Sequence, residues 1–166
     1  MLKRGCLIWL NLTIIVVILD QFSKFLIVNF FTLYQVKPIL PIFNLTLLRN
    51  KGAAFNLLSQ LNGWASLLFG VIAIAVSVLI LFWLARLPKT KRRLACGLAL
   101  ILGGALGNLI DRIVHGYVID FLDFHIQNWH WPAFNVADSA ICIGAFILFT
   151  DVFFNHKTAI EKEQPN

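Results

Sequence analysis

Residues 64–85, WASLLFGVIAIAVSVLILFWLA, run from Trp64 to Ala85 without one charged side chain. A helix that crosses the hydrocarbon core of a bilayer needs about 20 mostly apolar residues, and this stretch meets that length alone. Arg86, Lys89, Lys91, Arg92 and Arg93 follow at once. Basic residues gathered at the end of an apolar span mark the cytoplasmic side of a membrane.

Working outward, Leu94–Ile110 is again uncharged and continues into Asp111 and Arg112. Leu7–Leu19 is uncharged and resumes as Phe25–Phe31 after the interruption from Asp20 to Lys24. Phe134–Phe154 is apolar apart from Asn135, Asp138 and Asp151. The pattern predicts an all-α polytopic membrane protein of four transmembrane helices, with spans near 7–29, 64–86, 94–113 and 134–154. They form one membrane-embedded domain over 1–166. Lys3 and Arg4 before the first apolar run mimic a secretory leader, but no small-residue cleavage site follows, so a retained first helix is expected.

Composition agrees. Hydrophobic residues make up 59% of the chain and charged residues 13%, and the mean hydropathy is +0.80. A soluble domain carries about a quarter charged residues to keep its surface wet. The net charge of +6 sits at span ends, with no basic stripe interleaved with aromatics, so nucleic acid is not an expected partner. With both termini basic and two crossings on either side of the Arg86–Arg93 loop, both termini are expected in the cytoplasm. The segment Ile113–Ala137 has no lysine or arginine and is placed outside.

Two outer segments, about 32–63 and 114–133, are expected to form a small β-containing extracytoplasmic cap. Phe43, Leu45 and Leu47 alternate with Asn44 and Thr46, a strand pattern. Gly52, Ala53 and Ala54 suggest a turn where backbone comes close to something, and Phe55–Leu61 a short helix on the membrane surface. Cys6 and Cys96 lie near the cytoplasmic side and Cys142 reads as a small packing residue, so no disulfide framework is expected. His125 and His130 have no cysteine or carboxylate at a ligand spacing, so no metal is expected. Trp64, Trp129 and Trp131 suit an interfacial aromatic belt.

Charged groups inside a membrane are costly and point to function. At 1.5 Å per helical residue, Asp20 lies about 21 Å across the membrane from the cytoplasm, and Asn108 and Asp111 about 21–26 Å. Asp138 lies about 6 Å in from the outer side. Asp20, Asn108, Asp111, Arg112, Asn135 and Asp138 thus meet at one level, which Asn50 and Asp120 can also reach. Lys24, four residues from Asp20, can pair with it. Gly103 and Gly107 form a small-xxx-small pattern suited to close helix packing. No basic residue lies near Asp138 in sequence, so its partner must come from elsewhere in the fold.

Two carboxyls in one site cannot both ionise easily, so one keeps a proton. The ionised member activates water and the protonated one polarises a carbonyl, the logic of an aspartic protease with no cofactor. Asp120 and Asp111 are both candidate partners for Asp138. Asp111 has Arg112 beside it and suits a structural anchor, and Asp123 reads as an ordinary surface carboxylate. A small proton- or cation-coupled transporter is the alternative, although it should carry its ionisable groups near the midplane in repeated halves. A non-catalytic assembly subunit would leave Asp138 unexplained.

The same residues spell a known pattern. Asp20-Gln-Phe-Ser-Lys24, Asn50-Lys-Gly-Ala-Ala-Phe55, Gly103-Gly-Ala-Leu-Gly-Asn-Leu-Ile-Asp-Arg112, Val118-Ile-Asp-Phe121 and Phe134-Asn-Val-Ala-Asp-Ser139 together resemble the lipoprotein signal peptidase (signal peptidase II) family. The resemblance implies an aspartic endopeptidase of the bacterial cytoplasmic (inner) membrane. Its substrates would be prolipoproteins already carrying diacylglycerol, cut just before the lipidated cysteine. It further implies Asp120 and Asp138 as the catalytic dyad, and Asn50, Gly52, Asn108, Arg112, Asn135 and Ala137 as substrate-binding residues. Asp20, Lys24 and Asp111 would support the site. A monomer in contact with membrane lipids and inhibited by globomycin-like cyclic peptides completes the expectation.

Overall fold

The computed structural model describes residues 6–52 and 64–163. The surface helix expected over Phe55–Leu61, and the small residues Ala53 and Ala54, lie outside the described residues. One turn of 3-10 helix, Cys6–Trp9, leads into α1 (Leu10–Phe30). Then come β1 (Val36–Leu40), β2 (Phe43–Asn50), α2 (Trp64–Arg86), α3 (Arg92–His115), β3 (Val118–Ile126), β4 (Trp129–His130) and α4 (Val136–Glu163).

Three helical segments are long and apolar enough to cross a membrane among the described residues: Cys6–Phe30, Trp64–Arg86 and Arg92–His115. The last is 61% buried, against 22% and 17% for the other two, which makes α3 the central helix. It packs against α1, α2 and α4. α4 is a fourth long helix, and it begins at Val136 because Asn135 caps it. Outward faces of α1 and α2 expose Ile14, Ile18, Phe22, Phe25, Val71, Leu79 and Phe82, an apolar mantle that suits lipid and not water. Cys142, expected as a packing residue, is exposed on α4.

Close approach at α3 rests on residues without side chains. Gly103 lies against Val16 of α1, Gly104 against the Ala137 carbonyl, and Gly97 and Gly144 against one another. A methyl group at Gly107 would fall 2.6 Å from the Asp20 carboxylate, so this residue sets how deeply α1 enters α3. Thr13 Oγ1 donates across the same interface to the Ala99 carbonyl at 3.0 Å. At the other end α3 stops at Gly116, whose φ of +77° few residues adopt. The chain then turns directly into β3.

The strands form one antiparallel sheet, β1-β2-β3-β4. The expected strand around Phe43–Leu47 is β2, but its faces are inverted. The polar Asn44 and Thr46 are buried, and Phe43 and Leu45 are only partly so. The ground beneath the sheet is itself polar, with Asn44 Nδ2 donating to Asp123 on β3 at 2.9 Å. An irregularity between Leu45 and Leu48 then changes the register and turns Leu47 inward. There it joins Ile27, Ile119 and Phe121 in the cluster that fastens the sheet to α1.

Candidate active site

Two elements bring carboxylates together above α3. β3 supplies Asp120, which lies opposite Leu48 of β2, two residues before Asn50. The first turn of α4 supplies Asp138. Asn135 Oδ1 accepts from the Asp138 backbone N–H at 2.9 Å, while Asp138 Oδ2 accepts from the Asn135 N–H at 3.2 Å. This reciprocal pair is a capping box, so helix formation and placement of Asp138 are one event. α1 and α3 lie beneath and contribute a buried ionic knot.

Lys24 Nζ is the centre of that knot. It lies 2.8 Å from Asp20 Oδ2, 2.9 Å from Asp111 Oδ2 and 3.0 Å from Asn108 Oδ1, so its three N–H groups are all engaged. The remaining oxygens are taken as well. Asp20 Oδ1 accepts from the Ala137 N–H at 2.9 Å. Asp111 accepts from Gln21 Nε2 at 2.9 Å and from the Ile119 N–H at 3.0 Å. The cation that Asp111 meets is Lys24 and not the adjacent Arg112. Successive helical residues do not face one another, and Arg112 donates instead to the Asn108 carbonyl at 3.1 Å, its guanidinium 5.5 Å from the Phe69 ring.

Three asparagines translate this frame into the orientation of the acids. Lys24 can only donate, so Asn108 must turn its oxygen to Lys24 and its amide nitrogen to Asp138 Oδ1, 2.7 Å away. Asn50 Oδ1 accepts from the Gly52 N–H at 2.8 Å, which aims Nδ2 at Asp120 Oδ2 at 2.9 Å. Asn135 Oδ1 is held by the Asp138 N–H, which aims Nδ2 at Asp120 Oδ1 at 2.8 Å. Every oxygen of Asp120 and Asp138 therefore meets an N–H, and no salt bridge reaches either acid among the described residues. Burial pushes the Asp120 carboxyl up to about 7, and the neighbouring Asp138 adds to the rise, against the two amide donors and Lys24.

The profile of the Signal peptidase (SPase) II family matches residues 12–154. The chain belongs to the signal peptidase II family. It is 54% identical over 138 residues to the lipoprotein signal peptidase of Alteromonas mediterranea, covering 83% of this chain and 76% of that one. It is 50% identical over 156 residues to that of Yersinia enterocolitica, covering 93% and 92%. Among solved structures, a bacterial membrane enzyme determined by the in meso method at 2.3 Å superposes with a TM-score of 0.83. That enzyme is 28% identical, and the likeness covers 100% of this chain and 99% of it.

In this signal peptidase II fold Asp20, Lys24, Asn50, Asn108, Asp111, Asp120, Asn135 and Asp138 share one hydrogen-bonded network, to which Ala137 and Gly52 relate differently. Ala137 is fully buried against Gly107, with its N–H on Asp20, so it packs beneath the site. Gly52 has φ +95° and approaches the Phe69 ring so closely that a methyl group there would lie 3.0 Å from it. Asp123, expected as a surface carboxylate, is buried in the sheet between Asn44 and His130, whose Nδ1 lies 2.8 Å away. Burial alone would push its carboxyl up. The hydrogen bonds from Asn44 and His130 and the charge of His130 hold it below the usual range. Sequence reasoning missed Gln21, which reaches Asp20, Asp111 and the Gly107 carbonyl from one amide. A polar residue beside Asp20 inside an apolar run was the signal.

Proposed function

We propose that the chain removes signal peptides from lipid-modified prolipoproteins by aspartic chemistry, with Asp120 and Asp138 as the catalytic dyad. The observation that carries this reading is Asn135, which gives its side-chain N–H to Asp120 and its backbone N–H to Asp138. Asp111 is the weaker partner because it is ion-paired with the buried Lys24, whereas Asp120 and Asp138 accept only from amide N–H groups. The dyad shares one proton, and burial favours its residence on Asp120. A water between the two acids loses a proton to the ionised carboxylate and attacks the scissile carbonyl, whose oxygen the protonated carboxyl polarises. The departing amine then takes a proton from the pair. Arg112, Asn50 and Gly52 border the acids and position the peptide.

The substrate carries a diacylglyceryl cysteine and is cut just before it, with its acyl chains along the apolar outer faces of the helices. α4 serves as a fourth span and both termini lie in the cytoplasm of a bacterial inner membrane, which sets the acids near the outer face. Every polar group of the site comes from one copy, so a monomer suffices. Globomycin-like cyclic peptides would occupy the same cleft. A transporter is not supported, since the family profile and the relatives are those of a signal peptidase. Incubating the purified chain in detergent with a lipidated precursor and locating the cut by mass spectrometry tests the proposal. No cut before the lipidated cysteine would end it.

A further inference from the structure

At the end of the molecule opposite the acids, a cleft of about 1020 Å³ opens between the Cys6–Trp9 turn and the α2–α3 loop. One wall is apolar (Leu7, Ile8 and Trp9), and the other carries Lys89, Arg92 and Arg93. Cys6 is buried at its edge, with Sγ 3.3 Å from the Pro88 carbonyl, which ties the two walls together. Among residues with described side chains, no salt bridge is seen to Lys89, Arg92 or Arg93. α3 begins here with no acidic residue in its first turn and no side-chain cap from Lys91, so its leading N–H groups and positive dipole end face the same region. Nineteen helical steps separate Arg92 from Asp111, about 28 Å, so the cleft is no part of the peptidase site.

We propose that this cleft binds an anionic phospholipid from the leaflet facing away from the acids, which is the cytoplasmic leaflet in the orientation proposed above. The phosphate sits among Lys89, Arg92 and Arg93, and the acyl chains run along Leu7, Ile8 and Trp9. Basic pockets between membrane helices favour such headgroups. A zwitterionic lipid would bring its own cation to three existing ones, and a free phosphate would leave Leu7 and Ile8, both exposed, uncovered.

The test is native mass spectrometry of the detergent-purified full chain titrated with phosphatidylglycerol or phosphatidylcholine of matched acyl chains. Phosphatidylglycerol should be retained well above phosphatidylcholine by the unaltered protein. The double variant R92Q/R93Q should weaken that retention roughly 30-fold. R86Q/K91Q removes equal charge outside the cleft lining and should stay near the unaltered value. Excess inorganic phosphate should not displace the lipid. Equal retention of the two lipids by the unaltered protein would overturn the proposal. So would an equal loss in both double variants, which means diffuse surface charge, or displacement by phosphate, which means a site for a free anion.

Discussion

Among the residues, the acids near the site divide by what surrounds them. Asp120 and Asp138 meet only neutral N–H donors, whereas Asp20 and Asp111 are locked to Lys24. Asp120→Asn and Asp138→Asn keep size and remove ionisation, so each alone should abolish nearly all precursor cleavage. The double variant should be little worse, because groups acting as a unit fail together. The Asp120 carboxyl, raised to about 7, also sets a pH dependence. Turnover should fall as pH rises through about 7, when the pair loses its shared proton. Because the folded state binds that proton more tightly than the unfolded chain, Asp120 destabilises the protein increasingly as pH rises from about 4 to 7. Asp120→Asn removes this pH dependence but turns its own NH2 toward the N–H of Asn50 or Asn135, so its thermal stability relative to the unaltered protein should improve as pH rises from about 4 to 8. A difference in melting temperature that does not change over that range would contradict the burial argument. Asp123 behaves in the opposite sense. Its lowered carboxyl stabilises the sheet above the ordinary carboxylate range, and that contribution disappears as pH falls through the lowered value. Asp123→Asn should cost about 1–3 kcal/mol of stability at neutral pH and leave turnover per folded molecule unchanged, measured by melting and cleavage on one preparation.

For the elements, the first turn of α4 is both a helix cap and the frame of the proposed dyad, and two substitutions separate these tasks. Asn135→Ser can still accept from the Asp138 N–H and should hold the helix, yet it lacks the amide nitrogen that reaches Asp120. Asn135→Ala should lose about 1 kcal/mol more in cap strength. Cleavage should fall sharply in both variants and thermal stability mainly in the second, so a fully active Asn135→Ser would remove Asn135 from the dyad's frame. Glycines in α3 offer a parallel contrast. Gly107→Ala drives a methyl group at the Asp20 carboxylate and should cost about 1–3 kcal/mol with loss of activity. Gly116→Ala meets open space and should cost only the strain of its left-handed backbone, about 1 kcal/mol, as paired melting curves would show. Much at this scale was legible. An uncharged run bounded by Arg86 marks α2, and alternation around Phe43 marks β2. β3 was not, because Asp120 and Asp123 are three apart and break a period of two. The inverted face of β2 was equally hidden, since alternation reveals two faces without saying which covers a polar site. Lys24 as the partner of Asp111 depends on the close approach of α1 at Gly107, a contact between helices that spacing within one helix cannot show.

At the scale of the whole molecule, charge is sorted along the axis of the helices. The ionic knot and the two acids lie toward the C-terminal half of α3 and the first turn of α4, and Lys89, Arg92 and Arg93 gather at the start of α3. The ends differ in more than sign. The cations at the start of α3 are exposed, while Asp20, Lys24 and Asp111 are nearly inaccessible. Exposed lysine and arginine next to a span resist translocation, whereas a buried, mutually neutralised cluster exerts no such pull. The basic α2–α3 loop should therefore fix the orientation, with Lys24 making little contribution despite its charge. Reporter fusions after Arg93 and at the carboxyl end should read cytoplasmic, and fusions near Leu47 and Gln127 external. Neutralising Arg86, Lys89, Lys91, Arg92 and Arg93 together should give mixed orientation, while Lys24→Met should leave every reporter in place and damage folding instead. An external reading after Arg93 in the unaltered chain would invert the molecule. The acids would then face the cytoplasm, where a precursor whose lipidated cysteine lies at the outer face could not reach them.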